Sequence, residues 1–165
     1  MLDPLNARVH RAAGSIDYAA RLYADALPPL RRALELNPKI SNAHAFLGYC
    51  LMQLGKLKEA RTEFDAEPTN FFRLSGLAIV EQKLGDKAAA ESAMDQLVKE
   101  MGDASLYQQA QVLAQWGRAD EAVARLEQAR QIGDSGLIYL ATDPLLDPIR
   151  EHAGFAKLIR ELNLA

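Results

Sequence analysis

The stretch Ser41 to Ala60, SNAHAFLGYCLMQLGKLKEA, decides the fold. It reads as an apolar-periodic segment closed by Gly55 and followed by a second helical segment, since glycine suits the left-handed residue that commonly ends a helix. The reading extends upstream. Aligning NPKISNAHAFLGYC with DPLNARVHRAAGSI places Pro4 on Pro38, His10 on His44 and Gly14 on Gly48, and the same step carries Ala26 onto Ala60, a period of ~34 residues. Downstream, two shorter units align on Gly85 and Gly117, and the small residues Ala26, Ala60, Ala90 and Ala122 recur where paired helices approach closely. In the last pair, Leu106, Ala110, Leu113 and Ala114 fall at helical spacing, continued by Ala122, Leu126 and Ala129. Strand-type alternation is nowhere sustained.

The stretch 41–60 resembles the tetratricopeptide-repeat (TPR) consensus almost position for position. The expected fold is therefore all-α, a TPR-like right-handed superhelix of about four helix pairs with a C-terminal capping segment. One domain over 1–165 is expected, with repeats at about 7–40, 41–70, 71–102 and 103–134 and the cap at 135–165. The first repeat is irregular. Arg21 stands where the other units carry the turn glycine, and Pro28 and Pro29 fall where the second helix should be under way. Proline costs about 3 kcal/mol in a helix interior and far less in the first turn, so the spacing predicts a late helix from Pro28 to about Asn37, in preference to a kinked helix from Tyr23. Leu2-Asp3-Pro4 reads as the tail of a preceding repeat, as if the chain began partway through a longer array.

After Gly133 the pattern changes to DSGLIYLATDPLLDPIREHAGFAKLIRELNLA. Its two Asp-Pro steps place a side-chain cap and a preset dihedral at helix starts. Phe155, Leu158, Ile159 and Leu162 form one apolar stripe, suited to covering the open face of the last repeat. The segment GLIYLATDPLLDPIREHAGFAKLIREL, with EPTNFFRLSGLAIVEQKLGD and YQQAQVLAQWGRADEAVARLEQA, is similar to the C-terminal TPR regions of bacterial multidomain regulators, including class III adenylate cyclases and winged-helix transcriptional regulators. Departures are the irregular first repeat and Ala153-Gly154, where relatives often have proline. The resemblance implies a sensory or protein-interaction module joined to an output domain, and no catalytic residue carries over.

Composition and motifs narrow the function further. A net charge of -3 supplies no basic field for nucleic acid or an anionic membrane, and Phe71, Phe72 and Arg73 are too sparse a cluster for base stacking. Apolar stretches are interrupted every few residues by charged or amide side chains, which argues against a membrane span. The N-terminus has no secretory pattern, and the lone Cys50 offers no intrachain disulfide, so a cytoplasmic protein is expected. His10, His44 and His152 have no second His or Cys at ligand spacing, so no metal is expected. Cys50 reads as a small core hydrophobe, and Glu59, Glu63, Glu121 and Glu127 alternate with Lys58, Arg61, Arg118 and Arg125 as a solvated face. With no phosphate-binding glycine loop and no acid, base and nucleophile set, neither a cofactor nor an enzyme is expected.

What remains is the concave surface that the first helices of such pairs present. In this register it is lined by Arg8, Arg11, Ser15 and Tyr18, then Asn42, Ala45, Tyr49, Met52 and Gln53, then Phe72, Ser75, Ile79, Gln82 and Lys83, then Tyr107, Gln111 and Gln115. Aromatic anchors with amides suit a peptide, a partner domain or an output domain of the same parent protein. Arg11 and Ser15 occupy positions where co-chaperone TPRs carry a carboxylate-clamping Lys and Asn, so a chaperone-tail ligand is not expected. The alternative function is self-assembly, a homo-oligomer paired through the open N-terminal face.

Overall fold

Asn6 opens the first helix, its side chain accepting the amides of Arg8 and Val9. The computed structural model describes residues 6–164, and every regular element among them is a helix. The helices are α1 (Ala7–Ala19), α2 (Tyr23–Leu36), α3 (Ala43–Gln53), α4 (Leu57–Ala66), α5 (Asn70–Leu84), α6 (Lys87–Met101), α7 (Leu106–Gln115), α8 (Ala119–Ile132) and α9 (Ala153–Glu161). Short 3-10 segments lie at Gly102–Ser105, Ser135–Tyr139 and Pro144–Ile149. Each of α1/α2, α3/α4, α5/α6 and α7/α8 packs as a pair, and α3 on α5 and α5 on α7 stack the pairs into an array. The Leu2-Asp3-Pro4 segment lies outside the described residues.

Arg21 does occupy the turn position. Its φ is 63°, beside 76° at Gly55 and Gly117 and 91° at Gly85, so a side-chain-bearing residue holds the left-handed turn that glycine holds elsewhere. The second helix is where expectation fails: α2 starts at Tyr23, with Pro28 and Pro29 inside it. Two features account for this. The amide of Ala26 bonds the Leu22 carbonyl at 3.0 Å, and Ala26, Leu30 and Ala33 are fully buried, so the first turn is held by packing. The carbonyls that the prolines leave unpaired belong to Ala24 and Asp25, which are exposed and within reach of water.

Close approach within and between pairs depends on glycine. Phe64 of α4 is fully buried, and a Cβ on either Gly48 of α3 or Gly76 of α5 would collide with its ring. Ala60, Ala90 and Ala122 are likewise fully buried at the equivalent seams. Glu67 is 2% exposed, yet its carboxylate is satisfied by the amides of Asn42 (3.2 Å), Ala45 (3.1 Å) and Thr69 (3.1 Å). It thereby caps the N-terminus of α3, whose own N-cap Asn42 makes no side-chain cap. At the other end, Phe155 and Leu158 of α9 join the cluster of Val123 and Leu126 of α8, so the apolar stripe closes the last repeat as expected.

Gly76→Ala is expected to lower the unfolding free energy by about 1–3 kcal/mol, because Phe64 has no free space into which to retreat. Urea denaturation followed by circular dichroism measures it, and an unchanged midpoint would contradict the packing described.

Candidate functional site: a concave face holding its own tail

The first helices α1, α3, α5 and α7 form the inner layer, and the predicted lining residues divide sharply by exposure. Arg8, Gln53 and Lys83 are exposed, whereas Arg11, Asn42, Phe72 and Gln82 are half-buried. Tyr18, Tyr49, Met52, Tyr107 and Gln111 are buried and present no open surface. Of the wider lining, Ala45, Ser75 and Ile79 are buried, while Ser15 and Gln115 are half-buried. Asn42 is engaged by the Glu67 carboxylate through its backbone and sits at φ 72°, so its place is structural.

Two causes bury the aromatic residues. Between the first two repeats Tyr18 stacks on Tyr49 with ring centroids 5.8 Å apart, and Phe46 lies 5.6 Å from Tyr18. The second cause is the segment after Leu140. Pro144–Ile149 packs on α7, and Leu145, 1% exposed, joins the core cluster that contains Tyr18, Tyr49, Ile79 and Val112. The chain thus lays its own tail in the concave face.

Polar contacts fix the tail's register. Asp143 is buried, and its carboxylate accepts from the Tyr107 hydroxyl (2.9 Å), the Gln111 side-chain amide (2.6 Å) and the Leu145 backbone N–H (2.9 Å). Burial raises the Asp143 carboxyl above the usual carboxylate range, with the three donations opposing it. Gln115 donates to the Leu145 carbonyl at 2.8 Å. At the far end Arg21 donates twice to Asp147, at 2.6 and 3.1 Å, linking the first repeat's turn to the tail. Although partial burial opposes it, Arg21 and Arg150 together hold the Asp147 carboxyl below its usual range. Beside this network the Tyr18 hydroxyl is buried without a hydrogen-bond partner, and Tyr49 and Ser75 meet only at 3.5 Å.

Asp143, Leu145 and Asp147 were outside the predicted lining. The signal for them was the Asp-Pro-Leu-Leu-Asp-Pro run, which reads locally as helix starts and only in three dimensions as a groove occupant. Trp116, also unpredicted, ties the last two repeats by donating to the Ala78 carbonyl at 3.1 Å.

The other candidate side chains have structural surroundings. His44 pairs with Glu63 at 2.7 Å, a hydrogen bond that raises its pKa, and His152 pairs with Asp120 at 3.0 Å. Cys50 is buried and its thiol is pushed up to about 12 by that burial, far from the range of a nucleophile. Among the described residues no group of three or more His, Cys, Asp or Glu is placed to hold a metal ion, and no helix is long and apolar enough to cross a membrane.

Residues 6–71 match the tetratricopeptide repeat family model. Two uncharacterized TPR repeat-containing proteins of Arabidopsis thaliana are each 42% identical over 55 residues, which is 33% of this chain and 7% of each relative. Among solved structures the fold is similar to that of YrrB, a TPR protein with an unusual peptide-binding site, at 18% identity and a TM-score of 0.53 over 95% of this chain and 84% of that one.

Tyr107→Phe is expected to cost about 1–3 kcal/mol, because it removes a donor from a buried carboxylate. Chemical denaturation reads the loss; a neutral effect would mean that Asp143 is not held as described.

Proposed function

We propose, for a chain that carries tetratricopeptide repeats and folds as a TPR-like array, a role as a non-enzymatic protein-interaction module that takes a peptide or partner domain in its concave face. The observation that carries the reading is that this face already accommodates a stretch of polypeptide, with apolar burial at Leu145 and side-chain donors from Tyr107, Gln111 and Gln115. The uncovered part of the face retains Arg8, Arg11 and Phe72, a cationic and aromatic set fit to engage a ligand. The four repeats and the cap at 135–165 act as one unit. Its likeness to the C-terminal TPR regions of bacterial adenylate cyclases and winged-helix regulators points to a cytoplasmic regulatory protein, in which the module couples a bound partner to an output domain.

Self-assembly is the second reading, favoured by Ile16 (67% exposed) and Leu22 (50% exposed) on the first repeat. Light scattering across a dilution series distinguishes it by a persistent dimer.

For the peptide reading, ligands are selected from a displayed peptide library on the immobilised chain and measured by fluorescence anisotropy. The double variant Arg11→Ala, Phe72→Ala is expected to weaken them about tenfold or more with an unchanged circular dichroism spectrum. Selected peptides that bind the double variant as tightly as the parent would remove the open groove as the site.

A further inference from the structure

Leu145 and Asp147 do something that capping of the last repeat does not require. Leu146 and Ile149 belong to the apolar cluster of α7, α8 and α9, which is the cap proper. Leu145 instead enters the cluster that runs from Tyr18 of α1 to Val112 of α7, and Asp147 reaches Arg21 in the turn of the first repeat. These two side chains therefore bridge the array from its last repeat to its first, across the concave face.

The bridge is poorly matched to what it covers. Tyr18, 5% exposed, is left with a hydroxyl that donates to nothing and accepts from nothing. A buried hydroxyl of this kind is a polar group that a ligand atom can serve. The Arg21–Asp147 pair has both side chains substantially solvent-exposed, at 41% and 38%, the setting in which ion pairs contribute least. Arg21 also holds a left-handed turn that glycine would occupy without strain, so its side chain is retained at a backbone cost.

We propose that Leu145 and Asp147 form a displaceable clasp, and that the partner is an acidic peptide presenting an aliphatic residue followed two positions later by a carboxylate. The partner's aliphatic side chain takes the place of Leu145 in the cluster that contains Tyr18 and Tyr49, its carboxylate takes Arg21 from Asp147, and a further polar group accepts from the Tyr18 hydroxyl. Leu146 and Ile149 stay in the cap throughout. This rests on the peptide-binding reading above and adds to it the ligand's chemistry and its control, because a groove closed by its own chain binds more weakly by the fraction of time it is open.

The test uses the full chain and a fluorescent peptide of residues 141–151, ATDPLLDPIRE. Asp147→Ala, an exposed change outside the core, is expected to raise peptide affinity about tenfold over the parent by freeing Arg21. Adding Arg21→Gly, which suits the turn's φ of 63°, should abolish that gain, as should replacing the second aspartate of the peptide by alanine. Circular dichroism confirms that each variant is folded. Equal affinity in parent and Asp147→Ala, or a gain that survives Arg21→Gly, overturns the clasp. Either result leaves the general reading to stand or fall on the library ligands and their dependence on Arg11 and Phe72, so the two failures are separable.

Discussion

Everything in this array follows from how closely its helices approach at Phe64. With Gly48 on one side and Gly76 on the other, the ring fills space that any side chain at those positions would need. That contact locks α4 against α3 and α5 together, and fully buried Ala60, Ala90 and Ala122 repeat the close approach at the other seams. Close seams place the first helices side by side on one face. A concave surface is the consequence, and the tail then has a surface to enter.

The tail joins two ends of a structure whose main packing runs between neighbouring repeats. Repeat arrays gain stability from contacts between adjacent units, so a contact from the last repeat to the first is an addition to that scheme. Here it is made partly of polar groups. A buried aspartate is served by neutral donors, a tyrosine hydroxyl is unserved, and the Arg21–Asp147 ion pair lies in water's reach. Such an interface is specific in register without being strong, the property expected of a contact that yields to a better ligand.

Much of the fold was legible because helix pairing is local. The turn glycines, the small residues at the seams and the apolar stripe of α9 each act within a few residues of sequence, and the structure uses them as their spacing implies. The start of α2 was misread because proline's cost was weighed without the exposure of Ala24 and Asp25, the residues whose carbonyls the two prolines cannot serve. The site was harder to read for a different reason. Tyr18, Tyr49 and Tyr107 lie on the first helices and are buried in a region where the segment after Leu140 packs and Arg21 meets Asp147, and no local pattern encodes that meeting. The carboxylate of Asp143 looks like a helix cap in sequence; its Oδ1 does bond the Leu145 amide, while its Oδ2 turns to Tyr107 and Gln111.

The central claim is that the chain's own tail lies in its concave face, and amide hydrogen exchange tests it most directly. The amide of Leu145 bonds the Asp143 side chain and that of Leu146 the Asp143 carbonyl, both beneath buried side chains, so these amides are expected to exchange slowly, on the timescale of α7. Exchange at the rate of an unstructured peptide across 143–149, with α7 still protected, would contradict it.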